Sequence, residues 1–406
     1  MPRLLGIRIQ NYKSLADVTL GQISYGEGVQ LPPLSCFIGP NGSGKSSLLD
    51  AFGFLADCLR EGVEAACDRP QRGGFARLRT AGSTRPIEFS LYYREDEKSL
   101  PITYRFEIDT RQGVPIVTKE ILSQQVKNQK HERPFQVFLR LEKGVGFVRG
   151  GGATEEDDEE PIKIQLDDES RLGITTFGQL KEHPRIVGLR AYIENWYLSY
   201  FVPDAARRLP PAGAQKHLDR TGENLGNVVQ FLERNHKNLF QQVLSEIAER
   251  IPGIRKISHE TSADGRLLLR FNEQGYEDPF YQQAMSDGTL KMFAYLLLLK
   301  DPEPRPFIGI EEPENGLYHK LLQELARQFL RHTEQTRETQ LFLTTHSPYL
   351  VNALRPDQVW LLTKNDQGHT QAQKTSDFPA VKEMVDEGIP LGSLWYSDHF
   401  GEISPG

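Results

Sequence analysis

Cysteine is scarce. The three in 406 residues, Cys36, Cys58 and Cys67, are odd in number and lack CxxC spacing, so they predict buried reduced thiols rather than a disulfide framework or a thiolate metal set. Long apolar runs are missing as well. The longest, Met292–Leu299, stops at Lys300-Asp301-Pro302, well below the roughly 20 residues of a membrane-spanning helix. The opening MPRLLGIRIQ enters an alternating strand pattern with no apolar signal region and cleavage site, which predicts a cytoplasmic protein with no membrane association. Basic residues are not in excess. A net charge of −7 argues against a surface that coats nucleic acid throughout. No fixed-period repeat is visible, and prolines at 203, 210, 211 and 252 interrupt any heptad pattern that a long coiled coil would need.

What is present is a chain long enough for one large or two ordinary domains, with four patterned stretches. Residues 1–84 read strand, turn, strand, glycine loop, helix. Residues 85–187 alternate apolar and polar side chains in runs such as IEFSLYY, ITYRFEID and FQVFLRL, an antiparallel β signature. Within them Gly150–Pro161, GGGATEEDDEEP, has nothing to bury and predicts a disordered hairpin tip. Residues 188–253 carry helical spacing, clearest in Leu225–Ile247, and predict a compact helical insertion. Residues 254–406 alternate strand and helix, as in a largely parallel sheet covered on both faces. Arg69, Arg72, Arg77, Arg79 and Arg85 cluster around Gly73-Gly74 with no acid between Asp68 and Glu88. They predict a solvated, glycine-hinged surface loop, with nucleic-acid contact as the alternative.

GPNGSGKS at Gly39–Ser46 lies between the apolar run Leu34–Ile38 and the helical pattern Ser47–Arg60, the setting of a phosphate-binding loop. Its glycines let backbone N–H groups wrap the β- and γ-phosphates, Lys45 reaches the same oxygens, Ser46 ligates Mg²⁺, and the helix dipole faces the anion. The nucleotide-binding set is Asn41, Gly42, Ser43, Gly44, Lys45, Ser46 and Ser47. FIGIEEPE at Phe307–Glu314 is an apolar strand ending in adjacent acids. Glu311 is expected at the metal and Glu312 at the attacking water. MSDGT at Met285–Thr289 opens a helix and makes a second phosphate-sized nest, which suits a site completed by a second subunit. LFLTTHS at Leu341–Ser347 delivers His346 to a strand end as a phosphate sensor.

In the order GPNGSGKS, SDGT, EEPENG, TTHS, the chain resembles the ABC-type ATPases of the SMC- and RecF-like branch, and within it the AAA_21/AAA_15 group related to OLD-family and abortive-infection antiphage ATPases. The resemblance covers about residues 1–60 and 280–365. It implies an α/β P-loop ATPase head, a mixed sheet flanked by helices, with an antiparallel β lobe, a compact helical insertion and no long coiled coil. The head would be split between 1–84 and 254–406, around the lobe 85–187 and the insertion 188–253. It also implies that ATP and Mg²⁺ are the cofactors, that Lys45, Glu312 and His346 carry catalysis, and that Ser46 and Glu311 hold the metal. Ser286 and Gly288 would touch the γ-phosphate across a dimer, Asn315 to Leu317 would form the D-loop, and Asn11, Tyr12 and Lys13 would lie near the base.

Three departures stand out. Glu311 replaces the usual Asp, SDGT replaces the transporter SGGQ and brings in the Asp287 charge, and none of Gln124, Gln125 or Gln136 stands out as a Q-loop residue. The function expected is a slow or partner-stimulated ATP hydrolase acting as a homodimeric ATP-gated switch, with room for a higher oligomer, in a bacterial antiphage defence system. Only about 60 residues follow His346 and they lack a two-metal acidic cluster, so a nuclease or toxin effector is expected to be a separate protein. A RecF/SMC-like DNA-repair clamp and a nucleotide-binding scaffold with negligible hydrolysis are the alternatives, and nucleic acid stays open as cargo.

Overall fold

The structure, a computed structural model, describes residues 2–24, 28–125, 135–150, 160–211, 213–336 and 338–400. Positions 151–159 of the expected acidic hairpin tip lie outside them. The chain divides into two compact units, Met1–Trp196 with Trp360–Asp377 and Ile403–Gly406, and Tyr197–Val359 with Phe378–Glu402.

Alternating apolar residues build the first unit's main feature, an eight-stranded antiparallel sheet. Its order runs Leu15–Gly21, Arg3–Tyr12, Ile87–Arg94, Ile102–Arg111, Val114–Gln125, Phe135–Glu142, Val145–Val148, Ile162–Gln165. The N-terminal strand pair and the β lobe are therefore one sheet, joined where Ile7 pairs with Leu91 and Ile9 with Phe89. On one face Phe89 stacks on Phe106 at 5.2 Å, and Tyr12 meets Phe54 of the helix Lys45–Glu61 at 5.3 Å. That helix is buried along nearly its whole length, which marks it as a core helix rather than an amphipathic surface one. The strand Leu34–Ile38, buried at every position, leads into it and neighbours Val359–Lys364, which pairs antiparallel with Thr370–Lys374. All three cysteines are buried.

The basic segment is not a solvated loop. Val63–Asp68 and Phe75–Leu78 are short helices, and Arg72 between them is 3% exposed. Its guanidinium donates to Asp50 and Asp57, each at 3.0 Å, and lies 5.2 Å from the Phe54 ring centroid. Arg69 pairs with Asp57 and Glu61, and Arg79 with Asp109. Only Arg77 and Arg85 stay exposed, as expected. The acids that neutralise Arg72 come from the preceding helix, so absence of nearby acids in the sequence misleads here.

In the second unit Phe307–Glu311 and Gln340–Thr344 pair in parallel, ending with Glu311 opposite Thr344. Helices Leu225–Asn235, Lys237–Arg250, Asp287–Leu299 and His319–Gln335 accompany a small antiparallel sheet, Ile254–Thr261, Leu267–Glu273 and Phe280–Tyr281. Helix Asp287–Leu299 begins at the SDGT turn itself. Among the described residues no helix exceeds the 17 of Lys45–Glu61 and His319–Gln335, and none is long and apolar enough to cross a membrane. The described residues form a mixed α/β fold with an antiparallel lobe and no long helices.

Candidate functional site

Each unit carries one set of the predicted residues. In the first, glycine conformation shapes the loop between strand and helix. Gly39 has φ 146, and a Cβ there would lie 2.1 Å from the Leu362 carbonyl oxygen. Gly44 caps the helix at φ 110, and a Cβ there would lie 2.2 Å from Thr370 Oγ1. Gly42, at φ 76, has nothing within 4 Å of that position and is exposed. The loop thus rests against the Val359–Lys374 hairpin while its outer edge is open, the cradle a phosphate chain requires.

Thr370 Oγ1 bonds the Ser43 carbonyl and the Ser14 hydroxyl, each at 2.8 Å. Lys45 is 5% exposed and donates to the carbonyls of Gly39 at 2.9 Å and Pro40 at 3.0 Å. Its ammonium is held along the loop. Asn41 and Ser46 are exposed and Ser47 is half-buried, while Ser43 is buried with its hydroxyl unpartnered by any described residue. Behind the loop, Asp50 binds Tyr12 at 2.7 Å, Lys13 at 2.6 Å and Arg72. Burial raises the Asp50 carboxyl, and the adjacent Arg72 and Lys13 cations outweigh it, leaving the pKa below the ordinary value. Tyr12 is fully buried, and Asn11 is spent on Pro86 and Ser83. Of the three residues expected near the base, Tyr12 and Lys13 brace the helix through Asp50, and Asn11 anchors the segment around Ser83 and Pro86.

In the second unit the strand Phe307–Glu311 ends with Glu311 half-exposed and turns sharply at Glu312, whose φ of 42 is unusual for a non-glycine residue. The Glu312 amide donates to Thr344 O at 3.1 Å and Thr344 Oγ1 at 3.2 Å. Its carboxylate is held from two sides, by Asn315 Nδ2 at 2.8 Å and His346 Nε2 at 3.3 Å. Glu314 accepts the His346 amide, and its own burial raises its pKa. Sequence reasoning passed over Glu314, the third acid of EEPENG, and Thr344 in the TTHS strand.

At the SDGT turn Ser286 caps the helix by accepting from Thr289 N at 3.2 Å, and Ser286 and Asp287 are exposed. Gly288 is buried, with a Cβ position 3.0 Å from the Gly316 carbonyl oxygen. The signature turn and the expected D-loop are thus in contact within one unit. Gln124, one Q-loop possibility, is tied to Leu100 and Arg185 in the β lobe. Among the described residues no three His, Cys, Asp or Glu side chains form a metal cluster. Mg²⁺ bound with a nucleotide needs only one or two protein oxygens beside phosphate and water, and the exposed Ser46 hydroxyl and half-exposed Glu311 carboxylate are hard donors of that kind.

A GPNGSGKS loop between a buried strand and a helix N-terminus is the mark of the P-loop ATPases. The AAA_21 family model, described as "AAA domain, putative AbiEii toxin, Type IV TA system", matches residues 34–352. The chain belongs to that family. Its fold is that of SMC heads. It is similar to the SmcHead bound to the C-winged helix domain of ScpA, with TM-score 0.56 and 13% identity over 92% of this chain and 99% of that one. It is also similar to the Pyrococcus furiosus Smc head with an extended coiled coil bound to the C-terminal domain of ScpA, with TM-score 0.50 and 13% identity over 95% and 100%. The Pyrococcus yayanosii Smc head with a coiled coil and joint gives TM-score 0.50 and 12% identity over 95% and 100%. No curated protein matches the chain.

Proposed function

We propose that this protein is a Mg²⁺-dependent ATP hydrolase acting as an ATP-gated homodimeric switch, the cytoplasmic ATPase component of a bacterial antiphage defence system. The observation that carries the hydrolytic part is the Glu312 carboxylate, pinned between Asn315 and His346 on a strained backbone. A general base needs this restraint, because proton transfer from water depends on orientation. Lys45 and the loop amides would bind the phosphates, Ser46 and Glu311 would hold Mg²⁺, and Glu312 would take the proton of the attacking water. His346 orients Glu312 and carries the change in γ-phosphate state to the strand end. Bound Mg²⁺ would supply charge neutralisation to the phosphate chain.

Two ATP molecules would be sandwiched between copies, each completed by Ser286 and the Gly288 turn of the other, with assembly above the dimer left open. The defence role rests on the family description, which names the AbiEii toxin and Type IV TA systems. The effector would be a nuclease or toxin on a partner chain. The DNA-clamp alternative loses its best local support, because Arg69, Arg72 and Arg79 are consumed by internal ion pairs. The scaffold alternative rests on Glu311 in place of Asp and on the Asp287 charge in the SDGT turn.

The test is ATP turnover per subunit across a dilution series with Mg²⁺. A rate per subunit that rises with protein concentration and vanishes in EDTA supports the dimeric hydrolase. Turnover independent of concentration overturns the composite site, and no turnover at any concentration moves the scaffold role ahead.

A further inference from the structure

The signature turn carries a charge that works against its proposed task. Asp287 is the first residue of its helix, with a side chain 55% exposed. A carboxylate there suits the helix dipole, but it competes for the same positive end that would receive a phosphate. The turn packs closely on the segment after Glu312: Gly288 is buried, and a Cβ there would lie 3.0 Å from the Gly316 carbonyl oxygen.

Arg207 meets this charge. Its guanidinium donates to Asp287 Oδ1, to the Met285 carbonyl at 2.9 Å and to Asp204 Oδ1 at 2.6 Å. It therefore ties the residue before the signature serine, the signature acid and the helix Pro203–Ala206 into one cluster. Lys291, one turn further along, is buried and lies within electrostatic reach of Asp287. Lys291 also faces Glu314 and Glu312, so Arg207 is the cation bonded directly to Asp287, and Ser286 is left exposed at the edge of the turn.

We infer that Arg207 is a positioning residue that neutralises Asp287 and fixes its carboxylate sideways, so that the Ser286 turn can meet the γ-phosphate of a nucleotide held by a second copy of this chain. This inference rests on the dimeric reading above. It explains how SDGT can serve where a glycine-rich signature carries no charge. Arg207 stands 80 residues before Asp287 and has no motif of its own.

The experiment is a Mg·ATP titration of the full chain, followed by light scattering, for wild type, Arg207→Ala, Arg207→Lys, Asp287→Asn and the Arg207→Ala/Asp287→Asn double variant. A fluorescent ATP analogue on dilute protein reports nucleotide binding to the single subunit, and thermal melts report folding. Arg207→Ala is expected to raise the ATP concentration for half-maximal dimer about tenfold, within the usual range of coupling between sites. Binding to the dilute subunit stays unchanged. Adding Asp287→Asn restores dimerisation to within about threefold of wild type, and Arg207→Lys falls between.

An Arg207→Ala variant that dimerises like wild type overturns the inference. So does a double variant as impaired as Arg207→Ala alone, which would mean that the guanidinium touches the phosphate or merely holds the fold. A wild type that never dimerises with ATP is a different failure: it removes the dimeric reading, and the inference falls with it.

Discussion

In the phosphate loop the proposed working groups are mainly backbone amides, joined by Lys45 and Ser46, and the surrounding side chains serve to shape the loop. At the end of Phe307–Glu311 the working groups are side chains, and the backbone is bent to present them. The first arrangement needs absent atoms: Gly39 and Gly44 have no room for a Cβ against the hairpin beneath them. The second needs present ones: Glu312 keeps its carboxylate between Asn315 and His346 despite a φ of 42. Phosphate binding should therefore be sensitive to sterics and to the core behind the loop, and hydrolysis to chemistry at constant shape.

The sharpest way to break that contrast is a methyl group. Gly39→Ala is expected to cost roughly 3 kcal/mol or more and abolish nucleotide binding, because left-handed strain adds to a backbone clash. Gly42→Ala, with open space around it, should cost about 1 kcal/mol of strain. Paired urea melts and ATP titrations distinguish them, and equal losses at both sites would count against the account.

Next in size is the core behind the loop. Arg72→Met leaves Asp57 with Arg69 and Arg60, and Asp50 with Lys13 and Tyr12. The loss should fall near the lower end of that for broken buried pairs, about 3 kcal/mol, read by chemical denaturation.

A structural carboxylate sharpens the contrast with Glu312. Glu120 is fully buried and accepts from Tyr104, Gly173 and Ile174. Burial pushes its pKa from 4.5 to about 7. The folded state then holds the proton more tightly than the unfolded one, so its contribution to stability is full below 4.5 and lost as pH rises through 7. Denaturation at pH 5 and pH 8 should show a fall of up to roughly 3 kcal/mol from this group. Glu120→Gln should flatten the fall and leave turnover intact, whereas Glu312→Gln should leave the fall and remove turnover. The smallest effect is expected at Thr370→Val, which loses the hydrogen bond to the Ser43 carbonyl. It should cost about 1 kcal/mol and weaken ATP binding severalfold.

Local features were legible in the sequence. GPNGSGKS identifies its own strand–loop–helix setting, and the alternation in Ile87–Arg94 and Ile102–Arg111 marks the β lobe because one face of each strand is buried. Distant pairings were not. Arg72 finds Asp50 and Asp57 at 22 and 15 residues' remove, so its neighbourhood in sequence reads as solvated. Thr370 meets Ser43 across 327 residues, from a strand, Thr370–Lys374, whose TQAQK sequence has little apolar alternation to announce it. Tyr12 looks like an aromatic free to meet a base until the strand register buries it against Phe54 and Phe89. Arg207 lacked any signal, since its role depends on a charge 80 residues away.

The most direct test of the central claim is the mass of Glu312→Gln in Mg·ATP, measured by light scattering beside wild type. The variant keeps the shape of the side chain and removes the base, so it is expected to accumulate as an ATP-bound species of twice the subunit mass while wild type cycles back. A variant that stays at subunit mass at every ATP concentration, or that hydrolyses ATP as fast as wild type, contradicts it.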